Sequence, residues 1–427
     1  MMLMVHKANK LKGKCVVPGD KSISHRAVML SGISKGTTKI EGFLKGEDCL
    51  ATLRCFQQMG VKVKEEKNQL FITGKGLHGL EEPEDVLDAG NSGTTMRLMA
   101  GILSGQDFYS VITGDASLRK RPMKRIAFPL RKMGAGIDGR EMGTQAPLTI
   151  RGGGLKGIEY QLPVASAQIK SAVLLAGLFA DGVTSVIEPR VSRDHTERML
   201  QSFGVTVRQD GLKCTVKSEE LQATHIEVPG DISSAAFILV AAACIKGSDV
   251  TLENIGINPT RAGIIDVLCQ MGAEIGIKNK REIGGEPIAD VRVQGSDLKS
   301  VEIGEAQIPS LIDEIPVLAI AAVCAKGTTR ITGAAELRVK ETDRISAMEE
   351  ELKKIGVEIT PLEDGMIIDG PQTITGGSTD SHGDHRIAMA MAVAGLLSEE
   401  PVTIDNHHCM AVSFPGFIET IENLRED

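Results

Sequence analysis

Val17-Pro18-Gly19-Asp20-Lys21-Ser22-Ile23-Ser24-His25-Arg26 is the stretch on which the reading of this chain turns. Its first half is a bend, because Pro18 restricts its own φ and Gly19 allows backbone angles that other residues avoid. Its second half is a helix start: Asp20, Ser22 or Ser24 can accept from free N–H groups of the first turn, and an apolar run to Ile33 follows. Such a start favours an anion, and Lys21 and Arg26 add two positive charges. The bend recurs close to half the chain later as Val228-Pro229-Gly230-Asp231-Ile232-Ser233, this time without the cations. Two copies of one bend, charged on one side only, predict two crossings between similar halves.

Composition narrows the field. A chain of 427 residues with 42% hydrophobic residues can fill two globular cores. The 48 Lys and Arg against 56 Asp and Glu leave a net charge of −8, so the surface as a whole attracts neither nucleic acid nor an anionic membrane. With aromatics at 3% and no Trp, a base-stacking platform is not expected. Eight cysteines show no paired spacing and suit a reducing compartment. The apolar run at the first residues is too short for a secretory signal, and a cytoplasmic, monomeric protein is expected.

Two elements alternate along the chain. One is a helix that ends in an apolar residue, Gly and then Val or Ala, with its glycine at 60, 134, 204, 272 and 356, a period of about 70 residues. Each glycine is placed to stop a helix in the left-handed conformation. A sixth such helix runs from about Phe417 to Leu424. The other element is a more apolar helix that should be buried all round: Ser22–Ser34, Ser92–Ser104, Ser166–Ala180, Ser233–Lys246, Ser310–Lys326 and Asp384–Ser398. Strands rich in Thr, Val and Ile lie between them. The pattern predicts six α/β units, three in each half. Gly152-Gly153-Gly154 and Gly284-Gly285 read as hairpin turns.

The polar starts of the apolar helices carry most of the chemistry. They hold Asp20-Lys21-Ser22, Gly90-Asn91-Ser92-Gly93-Thr94 with Arg97 one turn on, Ser166-Ala167-Gln168-Ile169-Lys170, Asp313-Glu314, and Gly383-Asp384-His385-Arg386. Each alone reads as a cap. Cations at several helix starts oppose the helix dipole, and a shared anionic ligand resolves that conflict. Arg338-Val339-Lys340-Glu341-Thr342-Asp343-Arg344, read as helix, places Lys340, Glu341 and Arg344 on one face. Arg119-Lys120-Arg121-Pro122 is a basic cluster before another helix, with Pro122 suited to its first turn. Arg193-Asp194-His195-Thr196-Glu197 opens a third as a cap followed by polar side chains. No phosphate loop, zinc-protease or nucleophile-elbow motif occurs, and His407-His408-Cys409 is read as structural rather than metal-binding.

Taken together, G-D-K-S-I-S-H-R (19–26), G-N-S-G-T-T-M-R (90–97), K-R-P-M (120–123), S-A-Q-I-K (166–170), R-D-H-T-E (193–197), N-P-T-R (258–261), R-V-K-E-T-D-R (338–344) and G-D-H-R (383–386) resemble the motif set of the 5-enolpyruvylshikimate-3-phosphate synthases. S-A-Q-x-K, R-D-H-T-E and N-x-T-R resemble the bacterial class II branch. The resemblance implies an α/β fold of two similar domains, each three βαβαββ repeats in an inside-out α/β barrel. Residues 20–227 would form one domain, and 1–19 with 228–427 a discontinuous second, with the active site in the cleft between them and closure on ligand. It implies transfer of the enolpyruvyl group of phosphoenolpyruvate to the 5-hydroxyl of shikimate 3-phosphate, with no metal and no organic cofactor. Carried over by motif, Lys21, Ser22, Arg26, Ser166, Ala167, Gln168, Arg193, Asp313 and Lys340 would hold shikimate 3-phosphate. Lys21, Gly93, Arg121, Gln168, Arg344 and Arg386 would hold phosphoenolpyruvate, and Asp313, Glu341 and Lys21 would carry the chemistry.

Two positions depart from the pattern. Val412 stands where the other branch of the family has a lysine before its Thr-Phe-Pro, and Glu336 stands where an asparagine precedes the Lys-Glu pair. Rival readings are the related UDP-N-acetylglucosamine enolpyruvyl transferase and a non-catalytic binder of phosphate ligands. The first lacks its Lys-Asn pair here, since Ser22 follows Lys21, and no cysteine lies in the basic loop at Arg119–Arg121. Retention of Lys21, Asp313 and Glu341 together argues against the second.

Overall fold

A computed structural model describes residues 2–426. The chain divides at the two Val-Pro-Gly-Asp bends. One unit comprises Gly19–Val228 with Glu282–Glu286; the other comprises Met1–Pro18, Pro229–Arg281 and Pro287–Asp427. Each has its own hydrophobic core.

The buried helices are α1 (Lys21–Gly32), α2 (Gly93–Ser104) and α3 (Ala167–Gly177) in the first unit, and α4 (Ile232–Cys244), α5 (Ile315–Cys324) and α6 (His385–Leu397) in the second. Every residue of α4 but Cys244 is buried, as an all-apolar helix requires. Burying each large aliphatic side chain contributes about 1.5–3 kcal/mol. The amphipathic partners, such as Glu47–Gln58 and His195–Ser202, bury one face only. The predicted stop glycines Gly60, Gly134, Gly204, Gly272 and Gly356 all have φ between 82° and 110°.

Among the described residues seven sheets accompany these helices; one is the short pair of Ser34–Lys35 with Leu221–Gln222, and of the other six five share one plan. In the second repeat Leu87–Asp88 runs parallel to Tyr109–Thr113, which pairs antiparallel with Gln145–Arg151, itself antiparallel to Gly136–Gly139. Read in chain order with the intervening helices, this is βαβαββ. The sixth sheet is shorter: Gly377–Asp380 lies parallel to Val402–Asp405, and the opposite side of that strand is taken by Leu3–Val5. Lys10–Cys15 pairs parallel with Asp249–Gly256 and antiparallel with Arg425–Glu426.

Four local expectations need correction. The segment expected as one helix from Ser310 is broken into Ile308–Leu311, a 3-10 turn Ile312–Glu314, and α5, because Pro309 and Pro316 remove backbone donors there. Lys340–Asp343 is not helical: the helix begins at Arg344, capped by Asp343, whose Oδ1 accepts from the Ile345 and Ser346 amides. Pro122 precedes its helix, which starts at Lys124, rather than lying in the first turn. Gly152–Gly154 connects two different sheets and is no hairpin, whereas Gly284–Gly285 does lie between consecutive paired strands. No helix among the described residues is long and apolar enough to cross a membrane, and the eight cysteines are free thiols.

Candidate functional site

In the Gly19–Val228 unit, the starts of α1, α2 and α3 are tied together by side chains. Asp20 caps α1, accepting from Ile23 N at 2.8 Å. Lys21, just inside, meets Asp48 at 3.2 Å, a partner 27 residues away that nothing in the local sequence announces. Ser92, not Asn91, caps α2. Asn91 instead accepts from Arg121 through its side-chain oxygen (2.6 Å) and its backbone carbonyl (3.2 Å), and donates to Asp115. A Cβ built on Gly93 would lie 3.1 Å from Arg97 Nη1 and 3.5 Å from Arg121 Nη1, so two guanidinium groups flank this glycine. Arg97 donates to Gln168 Oε1 at 2.6 Å, and Gln168 donates to Thr94 at 3.1 Å. Ser166, Ala167 and Gln168 are partly exposed at the head of α3, as are Ser22 and Arg193 elsewhere in the unit.

Two cations of this unit turn inward. Arg26 is buried, donating to Thr196 Oγ1 (2.7 Å), the Ser22 carbonyl (2.9 Å) and Ser171 Oγ (2.8 Å). Burial lowers its pKa to about 10 and the nearby Arg193 adds to this, while Glu197, Asp20 and Glu286 oppose it. Lys170, expected to offer a donor at the helix start, is fully buried between Glu188 (2.8 Å) and Glu197 (2.7 Å). Burial pushes the Glu197 carboxyl up, against the pull of Lys170. The Arg193–Glu197 motif is therefore largely a structural knot: Thr196 serves Arg26, Glu197 serves Lys170, and His195 meets Glu286 at 2.7 Å.

In the other unit the cluster is built on Asp313, in the 3-10 turn before α5. Its carboxylate meets Lys340 (3.2 Å), Arg344 (3.3 Å) and Arg386 (3.8 Å), and its carbonyl accepts from Arg386 Nη1 at 3.0 Å. Arg344 is buried among three carboxylates: Asp384 at 2.8 Å, Glu341 at 2.7 Å and Asp313. Burial works against its charge, but Asp384, Glu341 and Asp313 more than restore it, and the guanidinium is held above its usual range. Asp384 has a double task, since it also caps α6 by accepting from Arg386 N at 2.8 Å. Although Lys340–Asp343 is not helical, Glu341 and Arg344 still pair, because the bend before a capped helix keeps them adjacent. Asp384 and Glu314 stand in helix starts that the sequence marks, but their roles as carboxylate partners of Arg344 and Arg386 are not legible there, because those partners lie 40 or more residues away in the chain.

A divalent cation is poorly suited to the closest His/Glu group, Glu350, Glu351 and His382, because Lys354 already places its ammonium 2.9 and 2.8 Å from the two glutamates.

A family model described as EPSP synthase (3-phosphoshikimate 1-carboxyvinyltransferase) matches residues 5–421. The 3-phosphoshikimate 1-carboxyvinyltransferase of Alkaliphilus metalliredigens is 57% identical over 421 residues, 99% of each chain. The solved EPSP synthase of Acinetobacter baumannii is 52% identical, with a TM-score of 0.89 over 99% of this chain and 98% of that one. The enolpyruvyl transferase NikO from Streptomyces tendae superposes with a TM-score of 0.80 over 99% of this chain and 97% of that one, but at 16% identity it speaks to the fold alone.

Proposed function

This chain belongs to the EPSP synthase family, and we propose that it transfers the enolpyruvyl group of phosphoenolpyruvate to the 5-hydroxyl of shikimate 3-phosphate, releasing phosphate. This is a step of the shikimate pathway towards chorismate and the aromatic amino acids. The observation that carries the residue assignment is Asp313: one carboxylate within 4 Å of three cations, Lys340, Arg344 and Arg386. Such a group is placed to take a proton beside the anions those cations attract.

Both substrates are multiply anionic, and bidentate arginine suits carboxylate and phosphate alike. Phosphoenolpyruvate is assigned to Lys21, Gly93, Arg121, Gln168, Arg344 and Arg386. Shikimate 3-phosphate is assigned to Lys21, Ser22, Arg26, Ser166, Ala167, Gln168, Arg193, Asp313 and Lys340. Arg26, each of whose three side-chain nitrogens makes one internal hydrogen bond, contributes its charge and holds the Ser22 carbonyl. Arg344 reaches an anion by giving up one of its carboxylates.

In the reaction Asp313 accepts the proton of the 5-hydroxyl as the oxygen attacks C2 of phosphoenolpyruvate. Glu341 delivers a proton to the methylene carbon, giving a tetrahedral adduct. As phosphate leaves with the proton that Asp313 had taken, Glu341 takes a proton back from the new methyl group, which restores both carboxyl groups to their starting states. Lys21 neutralises charge on both substrates. Positioning and charge stabilisation supply most of the rate.

The deciding experiment follows phosphate release from phosphoenolpyruvate with shikimate 3-phosphate, with UDP-N-acetylglucosamine, or with neither. Release that requires shikimate 3-phosphate is expected. Release only with the nucleotide sugar, or binding without release, would overturn the assignment.

A further inference from the structure

The N-P-T-R motif at 258–261 has no task in the scheme above, and neither does Glu314. The structure joins them. Arg261 is buried, and its Nη2 donates to Asp231 Oδ1 at 3.1 Å and to Ser233 Oγ at 2.6 Å. Ser233, in the first turn of α4, in turn donates its hydroxyl to Glu314 Oε1. The same Glu314 oxygen lies 3.7 Å from Arg386 Nη1. Glu314 is wholly inaccessible to solvent, and among the described residues its Oε2 has no hydrogen-bond partner.

A buried carboxylate with one oxygen unpaired is costly, and an apolar side chain in its place would normally be cheaper. A carboxyl group placed there suits a neighbouring cation that it can orient. Arg386 is that cation. Its Nη1 already donates to the Asp313 carbonyl, and its Nη2 lies 3.8 Å from the Asp313 carboxylate. With Asp313 as its sole counter-charge, Arg386 would close onto that carboxylate and compete with Lys340 and Arg344 for it. Glu314 pulls from the other side.

We propose that Glu314, held by Ser233 and Arg261, is a positioning residue that fixes the guanidinium of Arg386 for phosphoenolpyruvate and keeps it from collapsing onto Asp313. The inference rests on the assignment of Arg386 to phosphoenolpyruvate. Glu314 itself touches neither substrate; it acts through Arg386.

The test compares Glu314→Gln, Ser233→Ala and Arg386→Lys by steady-state kinetics, with melting temperature as the fold control. Glu314→Gln keeps the shape and the acceptor for Ser233 but removes the charge. It is expected to raise KM for phosphoenolpyruvate roughly ten-fold while KM for shikimate 3-phosphate stays within two-fold. Ser233→Ala, which leaves the carboxylate but frees it, is expected to give a smaller rise in the same parameter and reports on the proposal even where the Gln variant fails to fold. A merely structural role would lower both affinities together or neither. If Arg386→Lys raises KM for phosphoenolpyruvate and a folded Glu314 or Ser233 variant does not, the positioning role is overturned. If Arg386→Lys leaves that KM unchanged, the assignment of Arg386 is what failed, and the inference goes with it.

Discussion

Gln168 and Arg97 are bound to each other at 2.6 Å, the amide oxygen accepting from the guanidinium, while the amide nitrogen donates to Thr94 at 3.1 Å. One neutral side chain on α3 thereby holds a cation and a hydroxyl at the head of α2. Replacement by Leu keeps the bulk and removes both bonds, leaving Arg97 partly unsatisfied. A hydrogen bond to a charged group contributes about 1.5–3 kcal/mol. Gln168→Leu is therefore expected to cut kcat/KM for phosphoenolpyruvate about 10- to 100-fold, measured at saturating shikimate 3-phosphate. An unchanged value would remove Gln168 from the site.

Gly93 predicts a more selective defect. A methyl group there sits 3.1 Å from Arg97 Nη1 and 3.5 Å from Arg121 Nη1, tighter than ordinary contact for the first. The Arg97 guanidinium must give by a few tenths of an ångström. Gly93→Ala should raise KM for phosphoenolpyruvate about ten-fold, roughly 1.4 kcal/mol, with melting temperature nearly unchanged. A loss of stability instead would mean that the glycine serves folding.

For Glu341 the expectation is chemical. Glu341→Gln retains the size and a hydrogen-bonding oxygen for Arg344 but can neither give nor take a proton. Turnover should fall about 10²- to 10⁴-fold, while calorimetric affinity for shikimate 3-phosphate changes little. Equal losses in turnover and binding would contradict its proton role.

Lys170 makes the opposite prediction, about stability rather than catalysis. Its ammonium lies between Glu188 and Glu197, and all three are buried. Lys170→Met leaves two buried carboxylates without their cation, which should cost about 3–5 kcal/mol in urea unfolding. A variant as stable as the parent would show that solvent reaches this knot.

His25 supplies a pH dependence. It is fully buried, and burial together with Lys21 and Arg26 holds its pKa well below the ordinary value. The folded protein thus keeps it neutral where the unfolded chain, with an ordinary pKa near 6.5, binds a proton. Stability is unaffected above that value and falls as the medium is acidified through it, by up to about 1.4 kcal/mol per pH unit for the one proton. Melting temperature should drop between pH 7.5 and 5.5, and His25→Gln should flatten the drop. Parallel curves would assign the acid sensitivity elsewhere.

How far the chain could be read from its residues depended on the range of the interaction concerned. Caps and stops are local, so Asp20, Ser166, Asp384 and the five glycines were legible from neighbours a few positions away. The buried helices were legible because α4 and α5 are apolar on every face. The direction of a cation was not. Lys21 and Lys170 each follow a cap by a few residues, yet one lies partly exposed beside Asp48 and the other is sealed against Glu188 and Glu197. That choice is made by carboxylates brought in from 18 to 27 residues away. The Lys340–Arg344 face was misread for a related reason: charge spacing favours a helix, but Asp343 bonds the amides ahead of it and starts the helix one residue later.

The pairing of Leu3–Val5 with Val402–Ile404, and of Lys10–Cys15 with Asp249–Leu252 and Arg425–Glu426, bears on how the molecule is made. A ribosome releases residues 3–15 ahead of the segment 19–228, and their strand neighbours hundreds of residues later. The segment 19–228 emerges as nearly everything its own core needs, so it can condense while the ribosome is still working. The strands at 3–5 and 10–15 must instead wait, their edges unpaired and prone to meet other nascent chains. The half whose sheets they complete can be finished only after residues 402–405 and 425–426 have been made.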